Sequence, residues 1–384
     1  MARSILYLVS EDWFFVSHRL PMARAAKAAG YDVHVAAHVG DCADAIAREG
    51  FTLHPIAWRR GSVNPFCLLA AVLETRRLYR RVAPDLVHHV AVLPVTIGSL
   101  AALGLPLLVL NAFTGLGFTF ASRTARARLL RGLAGIFLGW LLSRPRSTVL
   151  VQNPDDRAII AKFGVPAQRI ETIAGSGVDI EAFAPLAEPA NSIITAAFVS
   201  RLLDGKGVRT LVRAHEILVG RSVAIRLLLA GAPDPLNPTS IADDVLAQWR
   251  KIPNLVMLGH VDDVREVWRQ AHVAVLPSRG GEGIPMSLLE AAACGRPLVA
   301  TDVPGCREVA RPGKTGLLVA SDNPEALANA LAALANDPVM RLRFGQTARQ
   351  LVSEQFSSAR IQREIVALYT RLLDPLTRLR SPRS

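Results

Sequence analysis

The chain reads as two doubly wound, Rossmann-like α/β domains facing a cleft. Three observations predict this class. Short apolar, β-branched runs alternate with helix-length amphipathic stretches, which is the βαβ rhythm of open parallel sheets with helices on both faces. The rhythm runs about six times, loosens, and runs again. At 384 residues there is length for two domains of roughly 150 residues, each able to bury its own core.

The first series of candidate strands is Ile5–Ser10, Val33–Ala37, Thr52–Ile56, Leu86–His89, Leu107–Asn111 and Val149–Gln152. The second is Ile193–Val199, Ile225–Ala230, Leu255–Leu258, Val273–Leu276, Pro297–Ala300 and Leu317–Val319. Amphipathic segments such as Leu20–Ala29, Leu68–Arg81, Val208–Leu218 and Pro324–Ala335 lie between them. Near-continuous apolar runs such as Ala224–Ala230 fit strands buried on both faces. The loosening falls at Phe183–Ala190, rich in Ala and Pro and without periodicity, and reads as the linker. The expected organisation is an N-terminal domain over 1–187 and a C-terminal domain over 188–360. A last helix over 361–384 packs back on the N-terminal domain, and its end, Arg378–Ser384, frays. Ligands of such sheets bind at the carboxyl ends of the strands, so the cleft is the expected site.

Composition narrows the partners. Hydrophobic residues at 51% and charged residues at 20% describe a globular chain. A net charge of +12, with only five lysines among 44 basic residues, favours an anionic partner: nucleic acid, anionic lipid or a phosphorylated substrate. Aromatics are 6% and no arginine–aromatic recognition pattern appears, which argues against nucleic acid. Cys42, Cys67, Cys294 and Cys306 lack C-x-x-C spacing, so neither a disulfide framework nor a zinc site is expected. The apolar stretches near Ile97–Leu110 and Leu129–Leu142 are interrupted and fall short of the roughly 20 residues of a spanning helix. The apolar start of the chain turns polar at Ser10-Glu11-Asp12, too early for a signal peptide. A cytoplasmic protein is expected.

The sharpest chemical signal is Arg279-Gly280-Gly281-Glu282-Gly283-Ile284-Pro285, which follows the run Val273–Leu276 and feeds a helix. Free N–H groups and the dipole at that helix start attract phosphate. Glu290 lies within the helix among Leu288, Leu289, Ala291, Ala292 and Ala293. A buried carboxylate needs partners, and sugar hydroxyls serve. The plainer alternative is a Gly-rich turn with two surface glutamates. A second signal, Ser200-Arg201-Leu202-Leu203-Asp204-Gly205-Lys206-Gly207, follows the first strand of the second domain. Two cations bracketing a short loop can hold a diphosphate and offset the charge it gains on leaving; ordinary solvated loop charge is the alternative.

Together these residues resemble the retaining family 4 glycosyltransferases of the GT-B fold. The family's E-x7-E pattern matches Glu282 and Glu290, its basic pair Arg201 and Lys206, and its hinge Gly177-Val178-Asp179 with Phe183 and Pro185. The stretches Phe15–Pro21 and Thr114–Phe118 are similar to a subgroup that adds N-acetylhexosamine-type sugars to undecaprenyl-diphosphate-linked acceptors. The resemblance implies that Glu282 contacts the transferred sugar, Glu290 the ribose, and Arg201 and Lys206 the diphosphate of a UDP-sugar, while backbone groups of Gly283 and Ile284 position the sugar. It also implies front-face transfer, in which the donor's own phosphate takes the acceptor proton. Many relatives carry a glycine-rich loop after the first strand; here Ser10-Glu11-Asp12-Trp13 stands there. No bound cofactor is expected. No D-x-D triplet occurs, and with Arg201 and Lys206 as counter-charges the reaction is expected to be metal-independent.

His88 and His89 end a strand of the first domain and, with His18, are the acceptor-side candidates; core packing is the alternative for each. The segment Arg123–Leu142, closed by Arg144 and Arg146, has a basic entry and an apolar body. It fits a helix lying in a membrane interface, with Phe137 and Trp140 among the lipid tails, or a core helix. The expected partners are thus a nucleotide-sugar donor, a polyprenyl-diphosphate-linked acceptor and the inner face of the cell membrane. A transferase with a soluble acceptor, or a nucleotide-sugar epimerase, would use the same donor site. A nicotinamide enzyme is disfavoured because no G-x-G-x-x-G follows an early strand.

Overall fold

The computed structural model describes residues 2–58, 64–116, 135–190 and 193–374. These residues form two compact units, one of residues 2–58, 64–116, 135–176 and 359–374, the other of residues 177–190 and 193–358.

The first unit holds a seven-stranded parallel sheet of β1 (Ser4–Glu11), β2 (Asp32–His38), β3 (Thr52–Pro55), β4 (Leu86–Val90), β5 (Leu108–Ala112), β6 (Ser147–Val151) and β7 (Ile170–Thr172). Their order is β3-β2-β1-β4-β5-β6-β7. Successive side chains of a strand point to opposite faces, and β1 separates two cores accordingly. Ile5, Tyr7 and Val9 join Met22 and Ala26 of helix Leu20–Ala28 and Ile361, Ile365 and Tyr369 of helix Ser358–Leu373. Leu6 and Leu8 join Leu78 and Tyr79 of helix Pro65–Val82. Both faces are covered, which is why β1 and β4 carry almost no exposed residue.

The second unit repeats the winding. Its parallel strands are β8 (Ile194–Val199), β9 (Ile225–Ala230), β10 (Leu255–Gly259), β11 (Val273–Leu276), β12 (Leu298–Thr301) and β13 (Gly316–Val319), in the order β10-β9-β8-β11-β12-β13. The strand order reverses between β1 and β4 in one unit and between β8 and β11 in the other. Crevices outside the carboxyl ends at such reversals are where these sheets hold ligands.

All twelve expected strands form. The thirteenth, β7, has three residues with Glu171 in the middle, too few for a period-two signal. The passage between units lies at Ser176–Gly177, ahead of the Ala/Pro-rich stretch read as a linker. That stretch is pinned to the second unit by side chains far away in sequence: Arg349 donates to the carbonyl of Phe183, and to that of Ile180 just before the stretch, and Glu188 pairs with Arg341. The backbone N–H of Leu186 also bonds to the Cys294 carbonyl at 3.1 Å. Among the described residues, no helix is long and apolar enough to cross a membrane.

Candidate active site

In the second unit the loop after β8 and the loop after β11 meet at the strand reversal. The first ends in a tight turn, Asp204–Lys206, closed by Gly207 at φ +72°. A Cβ on Gly207 would lie 1.8 Å from the Pro277 carbonyl oxygen, so the two loops touch backbone to backbone only because that residue is glycine. Gly305, after β12, does the same for the Gly-rich loop: its φ is +79°, and a Cβ there would sit 1.6 Å from the Gly283 oxygen.

This packing brings Lys206 onto Glu282. The ammonium donates to both carboxylate oxygens, at 2.7 and 2.8 Å. Ser278 donates to the same carboxylate at 2.8 Å, and Thr301 holds Ser278 by donating to its carbonyl. Glu282 is buried, whereas the Lys206 side chain keeps a quarter of its exposure. The charge on Lys206 therefore opens toward solvent from a fixed seat. Removing one partner of this half-buried pair costs less than the ~3–5 kcal/mol of a fully buried one, because solvent reaches the Lys206 side.

Gly283 and Ile284 are buried beside it. Pro285 then starts helix Met286–Ala293, and no side chain caps that start. Its first helical bond runs from the Leu289 N–H to the Pro285 oxygen, so the preceding N–H groups keep the anion-attracting character of a helix start. Arg201, just after β8, pairs with Asp234 at 2.5 Å. Asp234 was not visible in the sequence, where Ala232-Pro233-Asp234-Pro235 looks like a plain turn. The two cations expected to stand ready for a diphosphate thus each rest on a carboxylate. Glu290 meets no hydrogen-bond or ion-pair partner among the described residues, and desolvation raises its carboxyl from 4.5 to about 7.

The reversal in the first unit is built differently. Where a glycine-rich loop would stand, Glu11 and Asp12 are both buried. The Asp12 carboxylate accepts from the backbone N–H groups of Gly40 at 2.7 Å and Cys42 at 3.0 Å. An acid after β1 is thus tied to the loop that follows β2.

The acceptor-side candidates His88 and His89 lie inside this sheet's packing. One ring points to each face of β4, but both faces are covered, and both rings are fully buried. His88 bonds through Nδ1 to the Tyr369 hydroxyl at 2.7 Å, and that hydroxyl lies 2.7 Å from the Tyr7 hydroxyl. Burial, and then the charge of Arg19, hold the His88 imidazole well below the usual histidine range. His89 lies between the Tyr79 hydroxyl and Asn111, each at 2.8 Å, and burial lowers it to about 4. Both are neutral core groups. His18 keeps partial exposure, stacked on Phe14 with its Nδ1 2.6 Å from the Ser17 hydroxyl.

Of the Arg123–Leu142 segment, residues 123–134 lie outside the described residues, as do Gly117 and Phe118 of Thr114–Phe118. Residues 135–142 are helical. Leu138, Leu141 and Leu142 are buried there, and Ile136, Phe137 and Trp140 are exposed.

Known proteins match both units. Residues 4–138 fit the family described as "Glycosyl transferase 4-like", and residues 194–337 fit "Glycosyl transferases group 1". A putative glycosyltransferase, EpsD of Bacillus subtilis, is 26% identical over 99% of this chain and 100% of its own. The N,N'-diacetylbacillosaminyl-diphospho-undecaprenol alpha-1,3-N-acetylgalactosaminyltransferase of Campylobacter jejuni is 23% identical over 92% of this chain and 95% of its own. The capsular polysaccharide biosynthesis glycosyltransferase CapM of Staphylococcus aureus is 28% identical, over about half of each chain. Among solved structures, a sucrose-phosphate synthase from Thermosynechococcus elongatus superposes with a TM-score of 0.80 at 21% identity, covering 96% of this chain and 99% of that one. Two parallel Rossmann-like sheets with these matches define a glycosyltransferase of the GT-B type. Within that class the chain is a family 4-like hexosyltransferase.

Proposed function

We propose that the chain is a retaining transferase of polysaccharide assembly. It moves a sugar, an N-acetylhexosamine, from a UDP-sugar to a saccharide carried on a lipid diphosphate, without a metal, while peripheral on the inner face of the cell membrane. The observation that carries this reading is the Lys206–Glu282 pair at the second unit's strand reversal, beside an uncapped helix start. The relative from Campylobacter jejuni, whose name describes transfer to a lipid-diphosphate-linked sugar, supports the acceptor.

The proposed roles follow from chemistry. The donor's diphosphate draws Lys206 and Arg201 from their carboxylates, because its two linked phosphates present two negative charges where Glu282 and Asp234 each present one. The backbone of Gly283 and Ile284 seats the sugar, and Glu290 accepts from the ribose hydroxyls. Glu282, freed in part from Lys206 and still held by Ser278, contacts the sugar hydroxyls. The bond between the anomeric carbon and the phosphate oxygen breaks as the acceptor oxygen bonds to that carbon on the same face. The acceptor proton passes to the departing diphosphate, whose added charge Lys206 offsets.

The test is incubation of the pure protein with labelled UDP-N-acetylhexosamine and a membrane extract. Label in an organic-soluble, acid-labile product is the expected result. Label only in aqueous products would favour the soluble-acceptor alternative, and an epimerised donor with no transfer would favour the epimerase.

A further inference from the structure

At the amino ends of β5 and β6, the end of the sheet opposite its carboxyl-end crevice, the first unit has an open cavity of about 450 Å³. That volume lies within the range of about 300–1,000 Å³ typical of small-ligand sites. Its walls include Leu103, Leu105, Leu107, Val109 and Leu141. Two serines also line it, but Ser99 donates to Asn111 at 2.9 Å and Ser147 accepts from Asn111 at 3.0 Å. Its interior is therefore apolar, and its charged groups are Arg144 and Arg146.

The walls are clamped in place. Arg76 donates to the carbonyls of Ala101 and Leu103 on one side, and Arg169 to those of Ser143 and Arg144 on the other. Arg144 and Arg146 are exposed, and among the described residues neither has a carboxylate partner. The Arg144 guanidinium lies 4.7 Å from the Trp140 ring centre. Helix 135–142 carries Leu141 into the cavity wall while Ile136, Phe137 and Trp140 are 71%, 42% and 49% exposed. An apolar pocket, two arginines with no carboxylate partner among the described residues and an exposed aromatic face thus share one short stretch of chain. Tryptophan beside arginine is the side-chain pairing of a membrane–water boundary.

We propose that this cavity takes one hydrocarbon chain of a phosphate-bearing membrane lipid, with Arg144 and Arg146 on the phosphate. It is a lipid-anchoring site built by residues of the first unit, whereas the proposed transfer residues belong to the second. The inference extends the proposed membrane attachment and does not depend on the identity of donor or acceptor.

The test is calorimetric titration of the full chain with dodecyl phosphate below its micelle-forming concentration, with no sugar donor present. Inorganic phosphate and dodecyl maltoside are the controls. One saturable site for dodecyl phosphate is expected, at least tenfold tighter than for either control. Leu141→Trp, which fills the cavity, and the surface double variant Arg144→Gln/Arg146→Gln should each weaken it at least tenfold. The double variant keeps the test decisive if the buried tryptophan impairs folding. No saturable binding, equal binding of a control, or an unchanged affinity in the folded double variant would overturn the proposal. Sedimentation with phosphatidylglycerol vesicles separates the two ideas: vesicle binding without dodecyl phosphate binding leaves the membrane reading standing and removes the cavity.

Discussion

The two units wind their sheets in the same order and use the resulting crevices in opposite ways. At the β8/β11 reversal, loops held together by Gly207 and Gly305 present Lys206, Arg201 and a bare helix start, with the cations resting on Glu282 and Asp234. In the first unit, Asp12 after β1 is spent on the Gly40 and Cys42 N–H groups after β2, and β1 and β4 share a buried network of Tyr7, His88 and Tyr369. Topology supplies a crevice; local side chains decide whether it receives an anion or closes on itself. Transfer chemistry should therefore be lost by small changes in the second crevice and survive changes in the first.

The largest expected effect is at Lys206. Lys206→Met removes the charge that offsets the departing diphosphate, and kcat should fall by a factor on the order of 10² to 10³. Glu282→Gln should fall comparably, since contacts with the reacting sugar strengthen in the transition state. Steady-state kinetics with thermal melts separate this from misfolding. A folded Glu282→Gln with full kcat would remove that glutamate from the reacting sugar.

Tyr369→Phe is the counterpart in the first unit. It deletes a hydroxyl that serves both His88 and Tyr7. Leaving such buried groups unpaired should cost on the order of 1–3 kcal/mol, read by denaturant unfolding, with kcat within about twofold of the parent. A variant of unchanged stability and greatly reduced kcat would mean the buried network takes part in catalysis.

Glu290 gives a smaller, pH-dependent effect. Its carboxyl titrates near 7 when folded and near 4.5 otherwise. A raised carboxyl favours the protonated folded form, so the residue lowers stability progressively as pH climbs from 4.5 toward 7. Glu290→Gln should then be more stable than the parent at pH 8, by on the order of 1 kcal/mol, and equal to it at pH 4. If the ionised form grips the ribose, the donor KM should fall between pH 6 and pH 8 in the parent and stay flat in Glu290→Gln, with kcat little changed. A parallel pH profile in both proteins would contradict the assignment. The smallest expected effect is none: activity should persist in excess EDTA, and complete loss restored by Mg²⁺ or Mn²⁺ would show that a metal shares the work of Lys206 and Arg201.

Much of this was legible in the sequence, for identifiable reasons. The strands were visible because buried parallel strands are apolar throughout, and the Gly-rich loop and its helix because glycine, proline and an apolar run leave a fixed order. Side-chain partners were not visible. Nothing in the spacing of Lys206 and Glu282, 76 positions apart, says that they touch, and Asp234 gave no signal. The burial of both His88 and His89 gave no signal, because only a strand covered on both faces buries both of its alternating side chains. The attachment of the Phe183–Ala190 stretch to the second unit rests on Arg341 and Arg349, far along the chain.

The most direct test of the difference between the crevices is calorimetric titration of UDP into the parent, Lys206→Met and Tyr369→Phe, with NAD as the control nucleotide. UDP should bind the parent and folded Tyr369→Phe alike, bind Lys206→Met at least tenfold more weakly, and outcompete NAD throughout. Equal UDP affinity in Lys206→Met and the parent, or tighter binding of NAD than of UDP, would contradict that difference.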